Sequence, residues 1–479
     1  MKYIVLIFFL FHMAQAQQLQ SIHQQHRLKY KLPKQPSLYS KSAEQIVRLK
    51  PKEIDTPAKV VFGYLPDWEY LSARDNLQYD LLSHIAAFDF DVSAAGDITN
   101  PSYWPWTDVI NEAHSNGVKM IMTVVNFDTD EIHTILTNST VKNNLFENIK
   151  STIQTYDLQG VNVDFENVAS DDRGALLNGF MADLTDYIHS EIPGSEVSFA
   201  GPAVNWGGWD LPGLAASCDY IFIMGYNYYG SWSETSGPCS PLTGGYYNIT
   251  NTVEVQYGEV TQNNPEKLIL GIPYYGNRWM TENTQAYSTA IDHIESPRYR
   301  TAIEEAENHG LLWDTASQTS WYTYQESGNN YQVWFDTDSS LGLKYDYADS
   351  KLLRGVGMWA LGYDGERTEL WDELRDHYGS PSAIINEKNI PSQFKLFRNY
   401  PNPFNPKTII TYQLTVGTTV DLSIYNILGQ KIVTLVSEKQ NAGFHSFEWD
   451  ASGFSGAVYF CKLQTEKGFF LTRKLVLLK

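Results

Sequence analysis

The run Leu158-Gln159-Gly160-Val161-Asn162-Val163-Asp164-Phe165-Glu166 alternates polar and apolar side chains through its second half. Along an extended strand alternate residues share a face, so Asn162, Asp164 and Glu166 project together. Three polar groups in a row are costly inside a packed core and tolerable at the open end of a barrel. Two carboxyl groups this close can divide roles: one lifts the pKa of the other, which then serves as a proton donor. The same spacing suits a strand-end hydrogen-bond cluster or a cation site, and spacing alone does not choose among the three.

The elements that must position these groups follow from the apolar pattern. Eight short buried runs read as strands: Val60–Leu65, His84–Phe90, Lys119–Asn126, Gly160–Phe165, Glu196–Ala203, Tyr220–Tyr226, Lys267–Pro273 and Gly355–Leu361. Helical stretches separate many of them, among them Trp106–Ser115, Val141–Tyr156, Arg173–His189 and Thr252–Thr261. The alternation predicts an α/β fold, a (β/α)8 TIM barrel over residues 59–379. A doubly wound open sheet is the competing architecture, but no Gly-rich nucleotide turn follows the first strand. The long, Trp- and Tyr-rich gap at about 274–354 predicts an α+β insertion before the last strand.

Ahead of the barrel, residues 17–58 are polar and broken by Pro33, Pro36 and Pro51, which predicts a linker or loosely packed arm. Residues 1–16 read as a signal peptide, with Lys2, an apolar run from Tyr3 to Met13, and Ala14-Gln15-Ala16. Residues 380–393 form a second linker, and 394–479 show short alternating strands expected to make a C-terminal all-β sandwich.

The fourth strand resembles the D-x-x-D-x-D-x-E strand of glycoside hydrolase family 18, with Gln159, Asn162, Asp164 and Glu166 at the four acidic positions. Other blocks agree in order: Phe62-Gly63-Tyr64, Met224-Gly225-Tyr226-Asn227, Gly271-Ile272-Pro273-Tyr274-Tyr275-Gly276 and Gly357-Met358-Trp359-Ala360. Gly160 to Val168, and Trp334-Phe335-Asp336 through Lys344, are similar to the branch of spore-germination-type and chitin- or peptidoglycan-fragment hydrolases. The resemblance implies that Glu166 is the general acid/base and that Asp164 raises its pKa and orients the acetamido group. It implies that Tyr226 hydrogen-bonds the acetamido oxygen, and that Trp359 forms the floor of the sugar site. Asn162, Asn227 and Tyr64 would complete the substrate contacts. In this family the substrate's own acetamido carbonyl is the nucleophile. Three positions depart from the pattern: Gln159, Asn162 and Asn227 stand where the family has acids.

The C-terminal blocks Asn399-Tyr400-Pro401-Asn402-Pro403-Phe404-Asn405-Pro406, Ile424 to Gln430 and Ser455 to Phe460 resemble the type A sorting domain of type IX secretion. The implied destination is outside a Gram-negative cell, or on its surface, with the secretion machinery as partner. A sugar-binding or spacer sandwich is the alternative reading. The expected substrate is an N-acetylglucosamine-containing polysaccharide; a lectin-like relative that binds such glycans without cutting them is the alternative function.

Composition bounds the rest. The net charge is −20, while residues 394–479 hold 10 Lys+Arg against 5 Asp+Glu, so the acidity lies in the barrel and disfavours a nucleic-acid partner. No segment beyond the signal is apolar enough to span a membrane. No cofactor is expected, and no Cys/His cluster has metal-ligand spacing. Cys218 and Cys239 could pair in an exported protein, or all three cysteines, with Cys461, could be buried thiols.

Overall fold

A computed structural model describes residues 21–30, 33–38, 46–50, 59–379, 394–397, 399, 404–466, 468 and 470–478. The expected signal peptide, the 380–393 linker and residues 400–403 of the sorting motif lie outside the described residues.

Eight parallel strands close into a barrel: β1 (Val60–Pro66), β2 (His84–Val92), β3 (Lys119–Asn126), β4 (Gly160–Phe165), β5 (Glu196–Gly201), β6 (Tyr220–Met224), β7 (Leu268–Pro273) and β8 (Gly355–Trp359). Each pairs with its neighbours in sequence, and β1 pairs with both β2 and β8, which completes the ring. Because helices cover the outside and side chains fill the inside, the strands are buried on both faces and read as continuous apolar runs. Phe222 fills the interior across from Gly271 and Gly357, where a Cβ would overlap its ring. The strands β5, β6 and β8 each end two residues before the expected position, at Gly201, Met224 and Trp359. There the chain leaves the sheet at the mouth, so the loop residues that follow can turn into the cleft.

Local signals explain the helices. Asn138 caps Ser139–Tyr156 by accepting from the amides of Thr140 and Val141, and Leu145, Phe146, Ile149 and Ile153 form its buried stripe. The expected helix at Thr252–Thr261 is broken, because Thr252–Gln256 takes a wider turn before Gly258–Asn263.

Between β7 and β8 stands a five-stranded antiparallel sheet, built from residues 276 to 335, with the helix Tyr299–His309. Trp321 stacks on Trp334 at 4.9 Å, and with Trp279 they form a separate small core. The C-terminal part is all β, one sheet of three strands and one of four. Along Ala457–Thr465, Tyr459, Cys461, Leu463 and Thr465 are buried in alternation, the period-two signature of a sandwich face. All three cysteines are free, buried thiols, so Cys218 and Cys239 are not paired. No helix among the described residues is long and apolar enough to cross a membrane.

The arm differs from the linker its composition suggests. Residues Ile22–Tyr30 form a helix, α1, that enters the barrel mouth with Ile22, His23 and His26 buried. His23, His26, Arg27 and Tyr30 fall on one helical face, so a segment poor in aliphatic residues still presents a contiguous contact surface. Further on, the Val47 amide donates to Asn111 Oδ1 (2.8 Å) and the Lys50 amide to the His114 carbonyl (3.1 Å), which ties the arm to the barrel flank.

Candidate active site

The alternation along β4 delivers Asn162, Asp164 and Glu166 to the barrel interior and mouth, the first two fully buried and Glu166 9% exposed. Tyr64, from β1, donates its phenol to Asn162 Oδ1 (2.8 Å), and Asn162 Nδ2 donates to Ser198 Oγ (2.9 Å) on β5. Asn162 is therefore bonded through both its oxygen and its nitrogen, two residues before Asp164 on the same strand. Gln159 is remote from the mouth: its Oε1 accepts from the Met120 amide (2.8 Å) and contacts His114 Nε2 (3.0 Å) at the strand's start.

Trp359 is completely buried and lies edge-on to Phe88 (4.7 Å) and Tyr64 (5.6 Å). Tyr226 sits two residues past the end of β6 with its phenol in the same space. Asn227 has a left-handed backbone (φ 60°), which Asn tolerates, and its Oδ1 accepts from the Tyr275 phenol (2.9 Å). Asn227 thus faces a neighbouring tyrosine and borders the groove. Of the predicted residues, the fold brings Asp164, Glu166, Tyr226 and Trp359 around one point, with Asn162 and Tyr64 below them.

At that point lies the His23 imidazole. Its Nδ1 is 2.8 Å from Asp164 Oδ2 and 3.3 Å from Glu166 Oε1, and its Nε2 is 2.8 Å from the Tyr226 phenol. The ring stacks on Trp359 at 3.8 Å between centroids. Beside it, Trp359 Nε1 donates to His26 Nδ1 (3.1 Å), and Arg27 pairs with Asp89 (2.5 Å) and Asp91 (2.8 Å) at the end of β2. Sequence reading missed His23, His26 and Arg27. Their i, i+3, i+4 spacing was the available signal, hidden in a segment that otherwise reads as linker.

Electrostatics follow from burial. Loss of solvent, and then the Asp164 carboxyl, push Glu166 up to about 8. Burial, helped by Asp89, lifts Asp164 well above the usual carboxylate range. Burial holds His23 down at about 4 against the pull of Glu166, so its ring is neutral near neutral pH. Burial also raises the Tyr226 and Tyr64 phenols well above their ordinary value, which keeps them as donors. His23, Asp164 and Glu166 offer three ligand-type atoms within 4.8 Å of one another, but His23 already spends both nitrogens on the contacts above.

Next to α1 a groove of about 670 Å³ runs from Glu166 past Tyr226, with Trp206, Trp232 and Tyr247 along it. Trp206 is 69% exposed and Trp232 40%. Trp68 instead lies edge-on to Trp359 (6.2 Å), Trp209 packs by Phe199, and Asp67 accepts from the Ser102 amide. The Asp336–Lys344 pair is buried.

The family description "Glycosyl hydrolases family 18" matches residues 60–364, and "Secretion system C-terminal sorting domain" matches 398–478. A Bacillus subtilis protein named sporulation-specific glycosylase YdhD is 28% identical over 311 residues, 62% of this chain and 69% of its own. Human di-N-acetylchitobiase is 29% identical over 258 residues, 46% of this chain and 65% of its own, so the aligned part is about two thirds of each relative's length. The family 18 chitinase of Cycas revoluta, solved with (GlcNAc)3, shares the fold at a TM-score of 0.59 and 18% identity, over 66% of this chain and 99% of that one. With the family description matched along the whole barrel, the chain belongs to the glycosyl hydrolases of family 18 and carries a secretion-system sorting domain at its C-terminus.

Proposed function

We propose that this chain is a retaining glycosidase that cleaves β-linked N-acetylglucosamine glycans, chitin oligosaccharides or peptidoglycan, by substrate-assisted catalysis. The observation that carries the reading is the convergence of Asp164, Glu166 and Tyr226 on one point above the Trp359 ring. A pyranose stacks on the indole face, and its acetamido group sits between Asp164 and Tyr226. Asp164 accepts from the acetamido N–H, and the Tyr226 phenol donates to its oxygen. That oxygen attacks the anomeric carbon while Glu166, kept protonated by burial, gives its proton to the departing glycosidic oxygen. The cyclic oxazolinium is opened by water, which attacks the same carbon from the vacated side and returns a proton to Glu166. Configuration is retained because two displacements occur. Asn162 supports Asp164 from below without adding a second charge.

The exposed aromatics Trp206, Trp232 and Tyr247 support a chain of several sugars along the groove. The sorting domain supports export through the type IX machinery and an activity outside the cell or on its surface.

The test is release of sugar from chitooligosaccharides and from peptidoglycan by the full chain and its His23→Ala variant, with Glu166→Gln as the blank. Cleavage that falls by about 10²–10⁴ in the Glu166→Gln chain supports the reading. Sugar binding with no cleavage by either active form would give the lectin-like function instead.

A further inference from the structure

We infer that helix α1 is an autoinhibitory plug, in which His23 takes the place of the substrate's acetamido group, and that the enzyme becomes active when α1 leaves the cleft. The inference rests on the catalytic reading above for what the cleft binds.

The match is one of chemistry as well as position. Asp164 Oδ2 and the Tyr226 phenol are an acceptor and a donor facing one small planar group. A neutral imidazole with its proton on Nδ1 offers the complementary donor and acceptor, at 2.8 Å each. An acetamido group offers the same pair, N–H and C=O. Below, the imidazole stacks on the Trp359 face at 3.8 Å, where a pyranose would lie. His26 then occupies the indole N–H, and the Tyr363 phenol stands 3.0 Å from the same His26 nitrogen. The sugar and α1 therefore cannot be bound together.

The rest of the helix is built to hold it there. Arg27 bridges Asp89 and Asp91, and Lys29 pairs with Glu295 of the insertion (3.0 Å). The Arg298 guanidinium lies 3.9 Å over the Tyr30 ring. Ile22 is buried against the barrel core. A basic helix thus closes the acidic mouth of a barrel whose chain carries a net charge of −20. Because α1 is tethered, it competes with sugar as an intramolecular ligand.

The tether also supplies the means of release. Residues 31–58 contain Lys31, Lys34, Lys41, Arg48, Lys50 and Lys52. Lys34 and Arg48 are exposed, so a protease that cuts after basic residues can sever α1 from the barrel. Once cut, α1 is an ordinary dissociable ligand and is lost by dilution.

The experiment compares the full chain with a His23→Ala/Arg27→Ala double variant, using chitotriose binding by tryptophan fluorescence and the initial rate of chitooligosaccharide hydrolysis. The double variant is expected to bind chitotriose at least about tenfold more tightly and to raise the rate at low substrate in the same proportion. A synthetic peptide of residues 21–30 should restore inhibition competitively, and the same peptide with His23→Ala should not. As a second route, a recognition sequence for a site-specific protease is placed over residues 39–45, and cutting followed by dilution is expected to give the same gain without touching the helix. Equal chitotriose affinity in the uncut chain, the cut chain and the double variant would overturn the plug. Tighter binding in the released forms with no hydrolysis by any form would uphold the plug and sink the catalytic reading.

Discussion

At the residue scale, burial keeps the Glu166 carboxyl protonated where solvent would ionise it. Glu166 stands at about 8 in the folded chain against an ordinary value of 4.5. Folding therefore takes up a proton, so the stability contributed by this group is complete below pH about 4.5 and is lost as pH rises through about 8. Glu166→Gln removes that dependence. The melting temperature of the substituted chain is expected to gain on the parent by a few degrees between about pH 5 and about pH 9. A constant difference across that range would show Glu166 to be ordinary in its ionisation. Much of this was legible in the sequence: the two-residue spacing of Asn162, Asp164 and Glu166 fixes their shared face, and the order of the other blocks points to Tyr226 and Trp359. What could not be read was His23. Its partners lie 141 and 203 residues away, and no local pattern announces a contact at that distance.

At the element scale, the barrel's lower rim keeps the strands in register beneath the site. His84, Lys119 and Tyr220 stand at the first positions of β2, β3 and β6, and all turn toward Glu196, the first residue of β5. Burial opposes ionisation of Glu196, yet His84 and Lys119 hold it below the usual carboxylate range. A depressed pKa contributes stability above the unfolded value and loses it as pH falls through the folded one. Glu196→Gln is expected to cost about 1–3 kcal/mol near neutral pH and less in acid, read by denaturant unfolding of the folded chain at both pH values. A cost that grew toward acid would contradict the assignment. The strands themselves were legible, since a barrel buried on both faces forces unbroken apolar runs. The strand ends were less so, because Gly201, Met224 and Trp359 are followed by residues just as apolar in character. There the sheet stops where the mouth opens, and composition does not mark that point.

At the scale of the whole molecule, the described residues form three parts: a helix in the barrel mouth, the barrel itself and a sorting domain. The sandwich meets the barrel through Asp376, which faces Lys395 (3.6 Å) and Arg473 (3.8 Å). Asp164, Glu166, Tyr226 and Trp359 all belong to the barrel and lie at its mouth. Deletion of residues 394–479 in a type IX-secreting host is therefore expected to leave the protein in the periplasm, read by fractionation and immunoblotting of each fraction. Equal export without those residues would place the sorting signal elsewhere. In the proposed reaction the anomeric carbon undergoes two displacements, the first by the acetamido group held between Asp164 and Tyr226. This is tested most directly by following chitotetraose hydrolysis in real time by proton NMR, with α1 released by His23→Ala and Arg27→Ala. Two displacements give the β-anomer as the first product, with the α-anomer rising only by mutarotation; an α-anomer that appears first would mean a single displacement and would contradict the account.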